Sequence, residues 1–282
     1  PDGDGWRVQL AGGEAHAHRP FAREWRITQR VGDEARIVTL GGRRSSPPAA
    51  PSTPARTRTL PPTITVPQIP RPPAGPGDLT RWSAEQGPRA PWRARLGREH
   101  YRRSELSWSE AGAPEALVVL AASAEDVFIE ITMRKPAPRF APWRAENPLD
   151  NEHPDINSDG VQVYVRSDER PEGTTPYSWI LVPEPDADRV RVTPRLREGP
   201  PVALHARWRR TEHGYQILVA IPRTVLSQGK SGFLDVAINE IDDVRERRRG
   251  QLVLSGARGE WVYLRGDRQD PDRYLPIRIA DD

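Results

Sequence analysis

An acidic stretch in the middle of the chain contains the residues best suited to bind a metal ion. From position 147 to 159 the sequence reads NPLDNEHPDINSD, in which carboxylate and amide oxygens recur at short spacing. Oxygen ligands of this kind suit Ca²⁺, although the sixth-position Gly and the closing Glu of an EF-hand loop are missing. Two interpretations stay open, a structural calcium site and a solvated acidic loop. The candidate calcium ligands are Asp150, Glu152, Asp155, Asn157 and Asp159.

The chain carries none of the common catalytic motifs. It has no Gly-x-Ser-x-Gly nucleophile elbow, no His-Glu-x-x-His zinc motif and no phosphate-binding loop. It also has no cysteine, which excludes disulfides, thiolate metal sites and cysteine nucleophiles. We therefore expect no catalytic residues and no enzymatic activity.

Proline and arginine are distributed unevenly along the sequence. The 31 prolines must collect in linkers, turns and strand edges, because proline lacks an N–H and has a fixed φ. The first 110 residues hold 18 arginines against 11 acids, a balance that suits an acidic partner surface. Arginines also surround Trp92 and Tyr101, as on nucleic-acid backbone sites, but no known nucleic-acid module encloses them. Nucleic acid is therefore not the expected partner.

Three regions follow one another along the chain. Residues 1–43 predict a small β segment with strands at 6–10, 24–31 and 35–40, the last two joined as a hairpin. Residues 44–77 are Pro-rich and predict an extended strap, which either its own domain or neighbouring subunits must hold in place. Residues 78–282 contain about ten short apolar or alternating runs between turn residues. This spacing predicts an all-β domain, an antiparallel sandwich of jelly-roll or immunoglobulin-like type.

Five segments of the third region occur in an order that resembles a known family. They are AEDVFIEITM at 124–133, NSDGVQVYV at 157–165, HGYQILVAIP at 213–222, LDVAINEID at 234–242 and GEWVYL at 259–264. Over roughly residues 78–282 the chain resembles the family-9 carbohydrate-binding modules and the related DOMON sandwiches. The alternation within the segments agrees with strands, and it leaves Asn239, Glu240 and Asp242 in a loop at a strand end.

The resemblance implies a sugar site, a slot between aromatic side chains flanked by polar groups. The candidate platform residues are Trp143, Trp179 and Trp261, and the candidate polar partners are Asn147, Asn239 and Arg247.

Two functions from different classes follow. The first is a non-catalytic accessory subunit or scaffold that stabilises a larger complex, for example a photosynthetic or respiratory assembly, through the strap and the N-terminal hairpin. The alternative is a genuine glycan-binding module of a polysaccharide-processing system. Both place the chain in the periplasm or outside the cell, at or near a membrane surface. The longest apolar run, at 116–122, is far too short to span a bilayer, and a signal or anchor ahead of Pro1 is compatible with this location.

Overall fold

The computed structural model divides the chain into two units, Pro1–Thr59 and Leu60–Asp282. It describes the backbone of residues 5–10, 13–21, 24–31 and 34–40 in the first unit. In the second unit it describes residues 61–82, 90–140, 153–168, 176–196, 202–242, 247–263 and 268–281.

The first unit contains a four-stranded antiparallel meander. Its strands are β1 (Gly5–Leu10), β2 (Gly13–Phe21), β3 (Glu24–Val31) and β4 (Glu34–Leu40), and they pair in chain order. The predicted hairpin corresponds to β3 and β4, and the predicted strand at 6–10 corresponds to β1. The sequence analysis missed β2, whose sequence GEAHAHRPF offers no alternation of large apolar residues.

The second unit is a β-sandwich, as predicted. In chain order its strands are β5 (Ile64–Val66), β6 (Trp92–Leu96), β7 (Tyr101–Arg103), β8 (Ala116–Ala122), β9 (Asp126–Arg134), β10 (Val161–Arg166), β11 (Tyr177–Pro183), β12 (Val190–Leu196), β13 (His205–Thr211), β14 (Gly214–Pro222), β15 (Ser231–Ile241), β16 (Arg248–Val253) and β17 (Leu275–Ile279). One α-helical turn, α1 (Asp78–Arg81), and 3₁₀ turns at Arg98–His100, Pro154–Asn157, Arg223–Val225 and Pro271–Arg273 complete the described elements.

The strands form two sheets that enclose one core. The larger sheet runs β12-β11-β10-β15-β16-β7, with β17 also paired to β15 and β5 parallel to β17. The smaller sheet runs β13-β14-β9-β8-β6. Alternate residues of each strand face the core, as in β14, where Tyr215, Ile217, Val219 and Ile221 are buried. In β15 the alternating residues Leu234, Val236 and Ile238 also face the core.

Part of the Pro-rich region belongs to the sandwich. Its strand β5 pairs with β17, and Val66 is fully buried. Further along, Ile69 and Leu79 pack on Phe128 and Leu218, on the face of the smaller sheet opposite to the core. The compact unit that contains the sandwich begins at Leu60, whereas the sequence interpretation began the sandwich at residue 78. Residues 44–60 of the predicted strap lie outside the described residues, and the described remainder is held by its own domain.

In the part of the chain that the structure describes, no helix has the length and apolar character needed to cross a membrane.

Candidate functional site

The outward face of the larger sheet carries a row of polar side chains across four neighbouring strands. Gln162 lies on β10, Asn239 on β15, Gln251 on β16 and Arg102 on β7. The register pairs Asn239 with Gln251 and Gln251 with Arg102, so these side chains stand side by side. Their strand neighbours Ile238 and Leu252 face the core, which places the four polar residues on the other side of the sheet. We call these four residues the polar row.

Hydrogen bonds connect the members of the polar row. The Asn239 Oδ1 atom accepts from Gln162 Nε2 at 2.7 Å and from Gln251 Nε2 at 2.8 Å. Arg102 Nη1 lies 3.5 Å from Gln251 Oε1, at the limit of hydrogen-bonding distance. These contacts fix the side-chain rotamers of the row, so its remaining polar atoms are held in place before any ligand arrives.

Four further side chains, Glu260, Gln269, Arg273 and Tyr274, lie against this face, and we call them the cover. Gln269 accepts from Arg102 Nη2 at 2.9 Å and donates to Asp235 at 2.5 Å. The Glu260 carboxylate forms ion pairs with Arg102 at 3.2 Å and with Arg273. All four residues of the polar row are at most 3% exposed. A ligand can therefore reach the row only when the cover shifts.

Asp235 lies on the same face of β15, four residues before Asn239. It accepts hydrogen bonds from Ser255 Oγ at 2.7 Å, from Ser255 N at 3.0 Å and from the Val236 N–H at 2.9 Å, in addition to the bond from Gln269. Complete burial raises the pKa of Asp235, and the bonds from Gln269 and Ser255 oppose that rise. The Asp235 carboxylate thus accepts four hydrogen bonds from protein groups.

Beside this polar face lies a small aromatic and apolar cluster. It contains Tyr164, Tyr274, Ala237 and Val253, with the ring centroids of the two tyrosines 5.8 Å apart. Tyr164 and Tyr274 are each 2% exposed, so this cluster is covered in the same way as the polar row. Polar groups next to apolar ring faces suit a sugar ring, which has both hydroxyls and apolar C–H faces.

The structure does not bring the two described candidate tryptophans, Trp179 and Trp261, together. Trp143 lies outside the described residues. Trp179 is 2% exposed within the core and stacks on Tyr177, so its ring is closed to a sugar. Trp261 is 47% exposed, with the Arg103 guanidinium 4.5 Å from its ring centre. Trp261 pairs with Arg103 on the outer side of β7, which is itself four strand spacings from β11. Trp261 therefore lies five strand spacings, or roughly 24 Å, from β11. Trp179 and Trp261 therefore cannot clamp one sugar ring.

The candidate polar partners have different locations. Asn147 lies outside the described residues. Asn239 is a member of the polar row, and both it and Glu240 belong to β15 and are buried, which corrects the predicted loop position. Arg247 is exposed and lies 4.6 Å from the ring centre of Tyr263.

The candidate calcium ligands that the structure describes contact protein groups. Asp155 pairs with Arg191 at 2.8 Å, and Asn157 Oδ1 accepts from the Arg248 N–H at 3.2 Å. Asp159 pairs with Lys135 at 2.7 Å. Asp150 and Glu152 lie outside the described residues, and among the described ones no group of three or more His, Asp or Glu side chains has the arrangement of a metal site. A calcium site in this loop stays a prediction.

Most residues of this polar face were not predicted from the sequence to belong to a site. Gln162, Gln251, Arg102, Gln269 and Asp235 were not among the candidate site residues. A signal for three of them was present, since Gln162, Asp235 and Gln251 alternate with the core residues of their strands. An outward polar residue in a strand is normally solvated, so alternation alone does not separate a ligand site from an ordinary surface. Burial by the cover is what distinguishes this face, and it is a tertiary property.

Comparisons with known proteins bear on the fold. No protein-family model matches the chain, and none of the curated proteins matches it significantly. Two solved structures of family-9 carbohydrate-binding modules from Caldicellulosiruptor kristjanssonii do match. The module in complex with cellotriose aligns over 77% of this chain and 93% of its own, at 13% identity and a TM-score of 0.50. The module in complex with glucose aligns over 78% and 97%, at 11% identity and a TM-score of 0.51.

The β-sandwich of the second unit thus has a fold similar to that of the family-9 modules. At this identity the likeness establishes the architecture of the sandwich and not its ligand, because one fold carries many functions.

Proposed function

We propose that this module binds a saccharide without transforming it, and that the ligand is held at the polar row. The observation that carries the proposal is the row itself, in which two Gln, one Asn and one Arg cross four strands of one sheet face. Amide and guanidinium groups in fixed positions suit sugar hydroxyls, which both donate and accept. The two similar modules, solved with cellotriose and glucose, support a saccharide as the class of ligand.

The accessory-subunit interpretation was favoured by the Pro-rich segment, and the described part of that segment does not require a partner. An ordered Pro-rich segment suggested a partner that holds it, but its described part, residues 61–77, pairs with β17 through β5 and packs on the smaller sheet through Ile69. We therefore take the glycan-binding interpretation as the proposal, because the two similar modules were solved with cellotriose and glucose. A periplasmic or extracellular location fits such a module, because polysaccharides are met outside the cytoplasm.

Asn239→Ala is the variant that tests the site. Screening the full chain on a glycan array finds the saccharide that it binds most tightly, and calorimetric titration with that saccharide gives its Kd. We expect Asn239→Ala to weaken binding by at least about 10-fold, because it removes the atom that orients both glutamines of the row.

A matched control comes from the other sheet. Gln216 is also a buried amide, and it donates to Thr132 Oγ1 at 2.9 Å on the outward face of the smaller sheet. Gln216→Ala should cost comparable stability and leave the Kd unchanged. Array results without any bound saccharide would overturn the proposed function, and an equal loss in both variants would overturn the proposed site. Incubation of the bound oligosaccharide with the protein, followed by chromatography, should return it uncleaved.

A further inference from the structure

The unpaired polar atoms of the site are almost all hydrogen-bond donors. Among the described residues, Asn239 Nδ2, Arg102 Nε and Arg273 Nε are buried without a hydrogen-bond partner, as is the hydroxyl of Tyr274. Each of these residues is at most 5% exposed. The first three atoms can only donate, whereas the tyrosine hydroxyl can donate or accept.

The acceptors on the same face are already engaged. Asp235 accepts four hydrogen bonds from protein groups. The Glu260 carboxylate is shared between two guanidinium groups, those of Arg102 and Arg273. Asn239 Oδ1 accepts from two glutamine amides. With the cover in place, this face therefore offers unpaired N–H groups and few free oxygens. The two bonds to Asn239 Oδ1 and three of the four bonds to Asp235 do not involve the cover and persist when it shifts.

This imbalance discriminates between classes of saccharide. A neutral sugar presents hydroxyls, and each hydroxyl brings a hydrogen that needs an acceptor when it is buried. A carboxylate or sulfate group brings acceptors only, and charge-assisted bonds to guanidinium and amide groups are the stronger kind. The donor-rich face therefore fits an anionic group better than a neutral one.

From this we infer that the saccharide bound at the polar row is acidic. Its anionic group is directed at Arg102, Asn239 and Arg273 and at the hydroxyl of Tyr274. The inference rests on the proposed function and adds the class of the ligand. The anionic group that fits is either the carboxylate of a uronic acid or a sulfate ester, since both offer acceptor oxygens without donors.

Calorimetric titration of the full chain with three trisaccharides tests the inference. The ligands are trigalacturonate, the neutral galactotriose and a sulfated galactotriose. We expect at least one anionic ligand to bind about 10-fold or more tightly than galactotriose, with the advantage shrinking in 0.5 M NaCl. The stronger of the two anionic ligands identifies the source of the charge.

Two conservative variants locate the effect. Tyr274→Phe removes one hydroxyl that lacks a partner among the described residues, so the fold should be retained while affinity for the anionic ligand falls several-fold. Asn239→Asp keeps the shape of the side chain, replaces the donor by a charged acceptor and should abolish the preference for the anionic ligand.

The possible outcomes distinguish a failure of the acidic-ligand inference from a failure of saccharide binding. Equal or tighter binding of galactotriose, or an anionic preference that survives in Asn239→Asp, would overturn the inference and leave saccharide binding intact. Failure of all three ligands and of every saccharide on the array would overturn the proposed function as well.

Discussion

The Glu130 carboxylate lies beneath the first turn of α1 and is fully buried. It accepts from the Gly77 N–H at 2.7 Å, the Thr80 N–H at 2.9 Å and the Leu79 N–H at 3.1 Å, and the Thr80 hydroxyl also donates to it. An acidic side chain in this place both satisfies free N–H groups and complements the positive end of the turn.

Replacing the Glu130 carboxylate should lower the stability of the fold. In Glu130→Gln one acceptor oxygen becomes an NH₂ group that faces N–H donors, so we expect the free energy of unfolding to fall by about 2 kcal/mol. Urea denaturation measures the difference. Glu115→Gln, at a side chain that is 52% exposed, is the control and should change little. A fall no larger than that of the control would contradict the capping role.

His100 gives a pH dependence at the residue scale. Burial lowers its pKa below the ordinary value of 6.5, and the Gly97 N–H donates to its Nδ1 at 3.3 Å. Because the unfolded chain takes up the proton first, the native state loses stability as the pH falls below 6.5.

The measurement is the urea midpoint at pH 7.5 and at pH 5.5. We expect His100→Gln to lose less stability than the wild type over this interval, since glutamine does not titrate. The exposed His213 serves as control, and His213→Gln should follow the wild type. Identical pH profiles for His100→Gln and the wild type would show that His100 is not held neutral.

At the scale of elements, the segment of residues 61–82 is part of the sandwich. Leu79 is 0% exposed and packs with Ile69, Phe128 and Leu218 on the smaller sheet. Gly77, at φ +97°, makes the turn into α1, and a Cβ there would collide with Arg209 Nη2. Both features tie the Pro-rich segment to the sheet below it.

Truncating Leu79 tests this attachment. Leu79→Ala should lower the free energy of unfolding by about 2–4 kcal/mol through lost burial and a residual cavity. Limited proteolysis should then cleave the 61–82 segment faster than in the wild type. Arg81→Ala, at a side chain that is 69% exposed, is the matched control in the same turn. Unchanged stability in Leu79→Ala would mean that the segment does not depend on this contact.

The strands themselves could be predicted because their signal is local. In HGYQILVAIP the alternation, the initial Gly and the terminal Pro all lie within ten residues, and the structure places β14 at Gly214–Pro222. The pairing of β5 with β17 could not be predicted, since it joins residues more than 200 positions apart and neither short segment specifies its partner. The same is true of the polar row, whose four members come from four separate strands.

At the scale of the whole molecule, we propose the larger sheet of the second unit as the place of saccharide recognition. The two described aromatic candidates, Trp179 and Trp261, do not meet there, whereas Asn239 lies at its centre. Tryptophans are conspicuous in a sequence, but burial in the core accounts for Trp179 and the sheet edge for Trp261. The polar row became visible only once strand order and register were known.

The most direct test of this assignment is the NMR signal of side-chain amides. In a ¹⁵N-labelled sample of the full chain, we would titrate in whichever of cellotriose and trigalacturonate binds more tightly. The NH₂ resonances of Gln162, Asn239 and Gln251 should shift saturably with ligand, and that of Gln269 should shift as the cover moves. The NH₂ resonance of Gln216, on the smaller sheet, should stay in place. Saturable shifts elsewhere in the spectrum, with the three amides of the polar row unchanged, would contradict the proposed site.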